Sequence, residues 1–327
     1  MNGAQNAASR AGRAIVKGGR FAMSSAPRVS VLVPCYNEVG TVRELWAQVR
    51  AQFAALGVAG EVVFVDDGST DGTREVLREL AAEDPATQVL LLRRNLGKAA
   101  ALDVGFRATR GDFVLTMDAD LQDDPAEMPR FIEALESFDV VGGWKAVRHD
   151  PVEKTLPSKL FNATVRKVTG VQLHDMNCGY KGYRRAVVDE LRLWGELHRY
   201  IPVLTTARGF TLGELAVTHH ARRSGVSKYG WERYLRGLLD LFTVVYITRY
   251  RSRPLHFLGT WALAFKLLGL LLLLLVCFTH NLALGVLSGV LLACAGSWWA
   301  VGLAAEGGHA AAYTSLPDYP VAERLNG

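Results

Sequence analysis

Two long apolar runs near the C-terminal end restrict the fold of this 327-residue chain more than any other feature. Residues 257–278 and 282–305 each have the length that a helix needs to cross the hydrocarbon core of a membrane, about 20 residues. The connector at 279–281 is too short to hold a domain. The two runs therefore predict a transmembrane hairpin over residues 255–306.

Charges beside the hairpin predict its orientation. Arg249, Arg251 and Arg253 stand just before the first run, and positively charged flanks stay in the cytosol. Both ends of the hairpin, including the tail at 307–327, are then expected on the cytosolic face of the cell (inner) membrane. Lys266 interrupts the first run. Two interpretations stay open for it: contact with a lipid phosphate, or snorkelling towards the interface, which we favour.

Composition excludes several classes of protein for the rest of the chain. The net charge is +5 and the aromatic residues are not interleaved with dense Lys/Arg runs, so nucleic-acid binding is not expected. The four cysteines show neither zinc-type spacing nor a disulfide framework, which favours a reducing compartment. Residues 1–27 carry scattered basic side chains and no apolar core. We expect a disordered basic tail there rather than a signal peptide.

Residues 28–230 alternate between two hydrophobic patterns. Short β-branched runs predict strands, and runs with helical spacing predict helices. The predicted elements are a strand at 29–33, a helix at 41–56, a strand at 61–65, a helix at 73–82, a strand at 89–92, a helix at 99–109 and a strand at 113–117. This order predicts an α/β domain with a largely parallel sheet. Such sheets bind ligands at the carboxyl ends of their strands.

Acidic loops follow three of these strands: PCYNE at 34–38, DDGSTDG at 66–72 and DADLQDDP at 118–125. A single loop of this kind has a simpler interpretation, because Asp, Gly, Ser and Asn form turns and cap helices. Three acidic loops at one edge of a sheet would repel one another unless a cation lay among them. We therefore expect a divalent metal at this edge.

The third loop supplies the candidate metal ligands Asp118, Asp120 and Gln122. The two carboxylates alternate on an extended segment, and the amide adds a carbonyl oxygen. Oxygen ligands of this kind suit Mg²⁺ or Mn²⁺. A metal there would neutralise the charge on a departing diphosphate. The acidic loops thus indicate group transfer from an activated donor.

Six ordered motifs make the chain resemble the family 2 glycosyltransferases, specifically the dolichol-phosphate-mannosyltransferase-like and polyprenyl-phosphate glycosyltransferase branch. The resemblance spans residues 29–250, and six blocks in order are far more specific than an Asp-x-Asp pair alone. The motifs are PCYNE at 34–38, VDDGSTDGT at 65–73, RNLGK at 94–98, MDADLQ at 117–122, DMNCGYK at 175–181 and GVSKY at 225–229.

The resemblance implies a GT-A fold, a UDP- or GDP-sugar donor and the residues that bind it. The implied nucleotide-sugar ligands are Pro34, Tyr36, Glu38, Asp66, Lys98, Asp118, Ala119 and Asp120. The implied catalytic set is Asp118, Asp120, Arg222 and Lys228. In that set Arg222 and Lys228 close over the donor diphosphate and the acceptor phosphate. The alternative for these two cations is a solvated basic loop.

For the acceptor, the resemblance implies a polyprenyl or dolichyl phosphate and inversion at the anomeric carbon. The candidate phosphate ligands are Lys145, Arg148, Lys154, Ser158, Arg222 and Lys228. The chain departs from the family pattern here. Relatives often carry arginines after the strand that follows the third acidic loop, whereas this chain has Lys145 there, and a lysine lacks the bidentate fork of an arginine. A lipid phosphate is ionised near neutral pH, so we assign no general base. We expect residues 195–202 beside the acceptor channel, and we favour a structural role for His198.

Residues 231–250 mix arginines with leucines and aromatic side chains. This pattern predicts an amphipathic helix at the headgroup level, within a segment spanning 231–254. The alternative is a helix that packs on the core of the domain. An interfacial helix would hold the active site beside a lipid acceptor.

Two other functions stay open. A processive polysaccharide synthase shares the acidic loops, but usually has more membrane spans and a Gln-x-x-Arg-Trp segment, which this sequence lacks. A catalytically silent membrane scaffold would not need Asp118 and Asp120. The sequence leaves open the sugar, the base, the prenol and the oligomeric state, although the anchors of this branch resemble ones that assemble as homo-oligomers.

Overall fold

The computed structural model of the chain describes residues 28–146, 152–220 and 231–312. The predicted tail at 1–27 therefore lies outside the described residues. The first elements are β1 (Val29–Cys35), α1 (Val42–Leu56), β2 (Gly60–Asp66), α2 (Thr73–Glu83), β3 (Thr87–Leu91), α3 (Lys98–Ala108) and β4 (Phe113–Thr116). Every strand and helix predicted up to residue 117 is present, with its ends moved by at most a few residues.

The second half of the domain contains elements that were not predicted one by one. They are a 3₁₀ turn (Pro125–Glu127), α4 (Met128–Leu135), β5 (Val140–Trp144), α5 (Val152–Thr169), β6 (Lys181–Arg184), α6 (Arg185–Glu190), a second 3₁₀ turn (Leu197–Tyr200), α7 (Ile201–Ala207) and β7 (Leu212–Ala216). Three further helices follow: α8 (Trp231–Val245), which continues as a π-helical segment (Tyr246–Tyr250), α9 (Pro254–Thr279) and α10 (Leu282–Ala312).

The seven strands form one mixed sheet in the order β3-β2-β1-β4-β6-β5-β7. β6 runs antiparallel to both of its neighbours, β4 and β5, and the other pairs are parallel. The predicted α/β class with a mostly parallel sheet is confirmed. Because β1, β2 and β4 are adjacent and parallel, the three acidic loops that follow them leave the same edge of the sheet.

The central strands are buried on both faces, which explains their near-continuous hydrophobic sequence. Val31, Val33 and Phe64 pack on one face against α1, α2 and α4. Leu32 and Val63 pack on the other face against α3 and the helices of the second half. The packed strands give the acidic loops a rigid base.

Two helices among the described residues are long and apolar enough to cross a membrane, Pro254–Thr279 and Leu282–Gly308, with mean hydropathy 2.5 and 1.7. Only 11% of the most apolar window of each is buried, unlike a core helix of a soluble domain. The two helices pack as a hairpin, in which Ser288 Oγ donates to the carbonyl of Gly269 at 2.8 Å. The helix after the connector runs to Ala312 and so extends beyond the predicted end at 305.

The helix α8 has two different faces. Leu241 and Val244 are buried and belong to the core of the domain, whereas Leu239 and Phe242 are 67% and 55% exposed. The alternative of a helix that packs on the domain therefore describes one face of α8, and the placement of the other face at the headgroup level stays a prediction. One face docks the helix on the domain, and the other leaves large apolar side chains uncovered directly before the first apolar helix.

Candidate active site

The candidate site lies at the carboxyl ends of β1, β2 and β4. The register pairs Cys35 with Asp66 and Leu32 with Thr116, so each acidic loop begins beside the next. The loop after β3 joins them, because Asp67 Oδ1 and Oδ2 accept hydrogen bonds from the amides of Leu96 and Gly97 at 2.7 and 2.9 Å. Four chain segments thus meet at one edge.

Reciprocal hydrogen bonds hold the first two loops together. The amide of Asn37 donates to Ser69 Oγ, and Asn37 Oδ1 accepts from the amide of Thr70, both at 2.9 Å. Asn37 has a φ of 58°, a left-handed conformation that asparagine adopts more readily than most residues. The amide of Glu38 donates to Thr73 Oγ1 at 2.9 Å. These bonds leave Tyr36 41% exposed at the rim of the site.

Asp66 lies beneath the second loop instead of on its surface. Its side chain is fully buried, pairs with Arg74 Nε at 2.7 Å and accepts from the amide of Ser69 at 3.1 Å. Gly68, with φ of 83°, passes so close to the next segment that a Cβ would lie 2.4 Å from the amide nitrogen of Asn95. Asp66 therefore shapes the loop, and its predicted contact with the donor stays a prediction.

The third loop presents Asp118 to Lys98, the first residue of α3, in a close ion pair. Both side chains are 34% exposed. Asp120 is buried, and its Oδ1 accepts from the amide of Gln122 at 3.2 Å. Between them Leu121 takes a left-handed φ of 59°, which turns the loop sharply.

Lysines dominate the electrostatics of Asp118. Burial alone would raise the pKa of this carboxyl, but Lys98 first, then Lys145 and Lys181, lower the pKa to about 2. In return, Asp118 raises the pKa of Lys98 against the effect of burial. The pair is therefore ionised throughout the neutral range.

Lys145 directly follows β5 and reaches into the same site. Its Nζ lies 3.6 Å from Asp123 Oδ1, and its side chain is only 16% exposed. Although burial opposes it, Asp123 leads the neighbouring charges that raise the pKa of Lys145. Lys145 is thus a predicted acceptor ligand that the structure brings to the third acidic loop. Arg148, Arg222 and Lys228 lie outside the described residues, as do the side chains of Lys154 and Ser158.

Gln122 meets a pair of histidines that the sequence did not single out. Its Nε2 lies 3.4 Å from His219 Nε2 and donates to the carbonyl of His220 at 3.3 Å. An isolated bridge between Asp123 and His219 fixes this contact. The two segments are almost a hundred residues apart in sequence, so no local pattern could have revealed it.

Lys181 is a second residue of the site that was not assigned. It is 3% exposed, and its Nζ donates to the carbonyl of Cys178. Burial lowers the pKa of this lysine, and Lys98 adds to the effect. Lys181 ends the DMNCGYK motif that supports the resemblance, which was the one available signal.

The predicted metal ligands offer the right atoms without a closed cluster. Among the described residues, no three His, Cys, Asp or Glu side chains converge as a metal site, and Asp118 faces Lys98. Two carboxylates and an amide oxygen on one loop still form the oxygen-rich set that Mg²⁺ and Mn²⁺ prefer. The donor chemistry therefore fits a hard divalent cation.

Comparisons with known proteins identify relatives of this chain. The chain is 40% identical to a dodecaprenyl-phosphate galacturonate synthase of Rhizobium johnstonii over 75% of each chain. It is 41% identical to an undecaprenyl-phosphate 4-deoxy-4-formamido-L-arabinose transferase of Pseudomonas aeruginosa, over 76% of this chain and 73% of that one.

A solved structure shares the fold at lower identity. Glucosyl-3-phosphoglycerate synthase of Mycobacterium tuberculosis, solved with Mn²⁺ and UDP, is 17% identical, with a TM-score of 0.51 over 68% of this chain and 80% of that one. This likeness supports the GT-A-like arrangement of the sheet. Residues 30–192 match the model of glycosyl transferase family 2. With two curated relatives near 40% identity over three quarters of its length, this chain belongs to glycosyltransferase family 2.

Proposed function

We propose that the chain transfers a sugar from a nucleoside-diphosphate sugar to a polyprenyl phosphate at the cytosolic face of the inner membrane. The observation that carries the proposal is the ion pair of Asp118 with Lys98 at the carboxyl edge of a sheet whose chain continues into two apolar helices. The names of the two curated relatives, which both act on polyprenyl phosphates, support the acceptor class.

The donor half of the site is the edge formed by the first three loops. Tyr36 is exposed there and suits stacking on a base. Lys98 is a cation at the start of a helix, where backbone N–H groups also favour a phosphate. The position of Lys98 supports binding of the donor diphosphate between the N-terminus of α3 and the third acidic loop.

A divalent cation would be held by Asp118, Asp120 and Gln122. When bound, Mg²⁺ or Mn²⁺ would neutralise the diphosphate leaving group. Lys98 already holds the Asp118 carboxylate ionised, so this ligand needs no deprotonation before it binds.

The acceptor phosphate brings its own ionised oxygen, so its attack on the anomeric carbon needs placement more than a base. We assign this phosphate to the side of Asp118 on which Lys145 and Lys181 act, two lysines at 16% and 3% exposure. Direct attack opposite the leaving group inverts the anomeric centre. Arg222 and Lys228 are proposed to close over both phosphates.

Membrane attachment would bring the site to its acceptor. The exposed Leu239 and Phe242 of α8 lie just before the apolar hairpin. Arg249, Arg251 and Arg253 stand between them and favour the cytosolic side. Residues 307–327 would return to the cytosol.

Membranes that carry the full chain, incubated with labelled nucleotide sugars and polyprenyl phosphate, test the function directly. One donor should give a labelled lipid, EDTA should abolish it, and Mg²⁺ or Mn²⁺ should restore it. Asp120→Asn should lower the rate at least 100-fold. Asp189→Asn is the matched control, because this carboxylate is 64% exposed on α6 at the other edge of the sheet. Labelled polymer in place of lipid would favour a processive synthase, and no donor binding at all would favour a scaffold.

A further inference from the structure

The strand β4, which leads into the third acidic loop, divides the active edge of the sheet into two sides. β1 and β2, with the first two acidic loops, lie on one side of β4, and β6, β5 and β7 lie on the other. β5 runs parallel to β4, because both strands are antiparallel to β6 between them. Lys145 directly follows β5. It therefore meets the active edge on the side away from the first two acidic loops.

Asp123, in the third acidic loop, is the carboxylate that Lys145 meets there. Asp123 is 2% exposed, and its Oδ2 accepts a hydrogen bond from the amide of Asp118 at 3.3 Å. Its backbone forms a bridge with His219, in the segment after β7. The carboxylate is therefore held from two directions, whereas the four-carbon stem of a lysine is flexible. Of the two groups, Asp123 is the fixed one.

The contact between these two residues is an ion pair without a hydrogen bond. Lys145 Nζ lies 3.6 Å from Asp123 Oδ1, beyond the usual hydrogen-bond range of about 2.7–3.2 Å. Asp123 Oδ1 is sealed from solvent and has no hydrogen-bond partner among the described residues. The ammonium is attracted to this oxygen but donates no N–H group to it. The side chain of Lys145 is 16% exposed and that of Asp123 is 1% exposed, so the lysine is the group that a ligand can reach.

A second ion pair lies on the other side of the loop. Lys98, the first residue of α3, pairs closely with Asp118 Oδ1, and α3 packs against β1 and β2. The hydrogen bond from the amide of Asp118 to Asp123 joins the two pairs. The loop thus holds one lysine on each side. Because Asp123 gives Lys145 a carboxylate of its own, Lys145 does not compete with Lys98 for Asp118.

We propose that Asp123 is a positioning residue for the acceptor, which holds the Lys145 ammonium on the β5 side of the loop where the acceptor phosphate binds. This inference rests on the proposed function, in which Lys145 is a ligand of that phosphate. A lysine that is already ordered in the free protein loses less rotamer entropy when it binds an anion. Asp123 touches neither substrate, and it acts on the acceptor through Lys145.

A double-mutant cycle in steady-state kinetics tests the proposal, with the full-length protein in detergent and undecaprenyl phosphate as the acceptor. Asp123→Asn keeps the volume and an oxygen that can accept from the amide of Asp118, but it removes the charge beside Lys145. The KM for the acceptor should rise about tenfold, a typical coupling within one charge network. Lys145→Met should raise it about 10- to 100-fold, the range for a hydrogen bond to a charged group. In the Lys145→Met protein, adding Asp123→Asn should change the KM less than about twofold, because the residue through which Asp123 acts is gone.

Further measurements separate positioning from a role in the fold or the metal site. The KM for the nucleotide sugar and the Mn²⁺ concentration at half-maximal rate should stay at their wild-type values in Asp123→Asn. Asp123→Glu keeps the charge, so its acceptor KM should lie closer to the wild-type value; this variant also serves if Asp123→Asn does not fold. Glu61→Gln is the matched control. It makes the same change in a buried carboxylate that pairs with Arg110 at 2.8 Å, near the amino-terminal end of β2, and should leave the acceptor KM unchanged.

Other outcomes overturn the proposal. An unchanged acceptor KM in Asp123→Asn shows that Asp123 does not position the acceptor. If the effects of Asp123→Asn and Lys145→Met multiply in the double variant, Asp123 acts independently of Lys145. A higher Mn²⁺ requirement moves Asp123 to the metal site, and a raised donor KM moves it to the nucleotide sugar. If the wild-type protein transfers nothing to undecaprenyl phosphate, the proposed function itself fails before any variant is compared, and this inference falls with it.

Discussion

Replacement of Gly179 by alanine tests whether the position of Asp118 controls transfer. Gly179 lies so close to the acidic loop that a Cβ on it would stand 2.6 Å from Asp118 Oδ2 and 2.7 Å from its Cγ and Oδ1. Its φ is not in the left-handed region, so alanine suffers no backbone strain. The effect of the substitution comes from this contact alone.

The size of the effect follows from the distance. Ordinary contact begins at 3.4 Å, so the carboxylate must move about 0.8 Å from a start of 2.6 Å. A displacement near 1 Å at a reacting centre costs about 100-fold in rate. The fold should survive, because Asp118 is 34% exposed and can turn outward. We expect kcat to fall about 100-fold and the melting temperature to stay within a few degrees.

Initial rates with both substrates saturating, together with a thermal melt in detergent, measure these two quantities. Gly142→Ala is the matched control in a neighbouring strand, since a Cβ there would make an ordinary 3.7 Å contact with Leu173. A Gly179→Ala protein with wild-type kcat would refute the reasoning, because the observed position of Asp118 would then be irrelevant to transfer. Equal losses in both variants would point to general damage to the sheet.

Two further predictions concern charge and the hairpin. Since Lys98 is the leading charge that lowers the pKa of Asp118 to about 2, the stability from this pair is present above about pH 4 and is lost as the pH falls towards 2. Lys98→Met should raise that pKa, so the acid limb of kcat/KM should begin at a higher pH in a profile from pH 4 to 8; an unmoved limb contradicts the pairing. Gly269→Leu should lower the melting temperature in detergent, because even a Cβ there would lie 2.9 Å from Leu292. Gly289→Leu is the control and should leave the melting temperature unchanged, because a Cβ there meets nothing within 4 Å. Equal melting temperatures for the two variants would argue against this contact between the two helices of the hairpin.

Local patterns were enough to predict the first half of the domain. The strands β1, β2 and β4 follow from short β-branched runs, and the helices between them follow from a period of 3.6 residues. Both signals depend only on neighbours along the chain. The convergence of three acidic loops follows as well, because parallel strands end at the same edge. The two apolar helices were predicted from length and hydropathy alone.

Other features of the site depend on residues far apart in sequence. Asp66 and Asp67 have similar sequence surroundings, yet one is buried on Arg74 and the other holds the loop before α3. Lys181 is close enough to Asp118 to lower its pKa, because β6 inserts antiparallel beside β4. The strand β6 is only four residues long. Its sequence is therefore too short to predict the direction in which it runs.

The class of the domain, its acidic edge and its apolar anchor are thus written in short stretches of sequence, because hydrophobic spacing and span length are local properties. The partner of each charged side chain cannot be read from such a short stretch. Lys98 with Asp118 and Gln122 with His219 both arise when distant segments pack together. A charge in sequence has no partner until the chain folds, and burial then sets which pKa moves and in which direction.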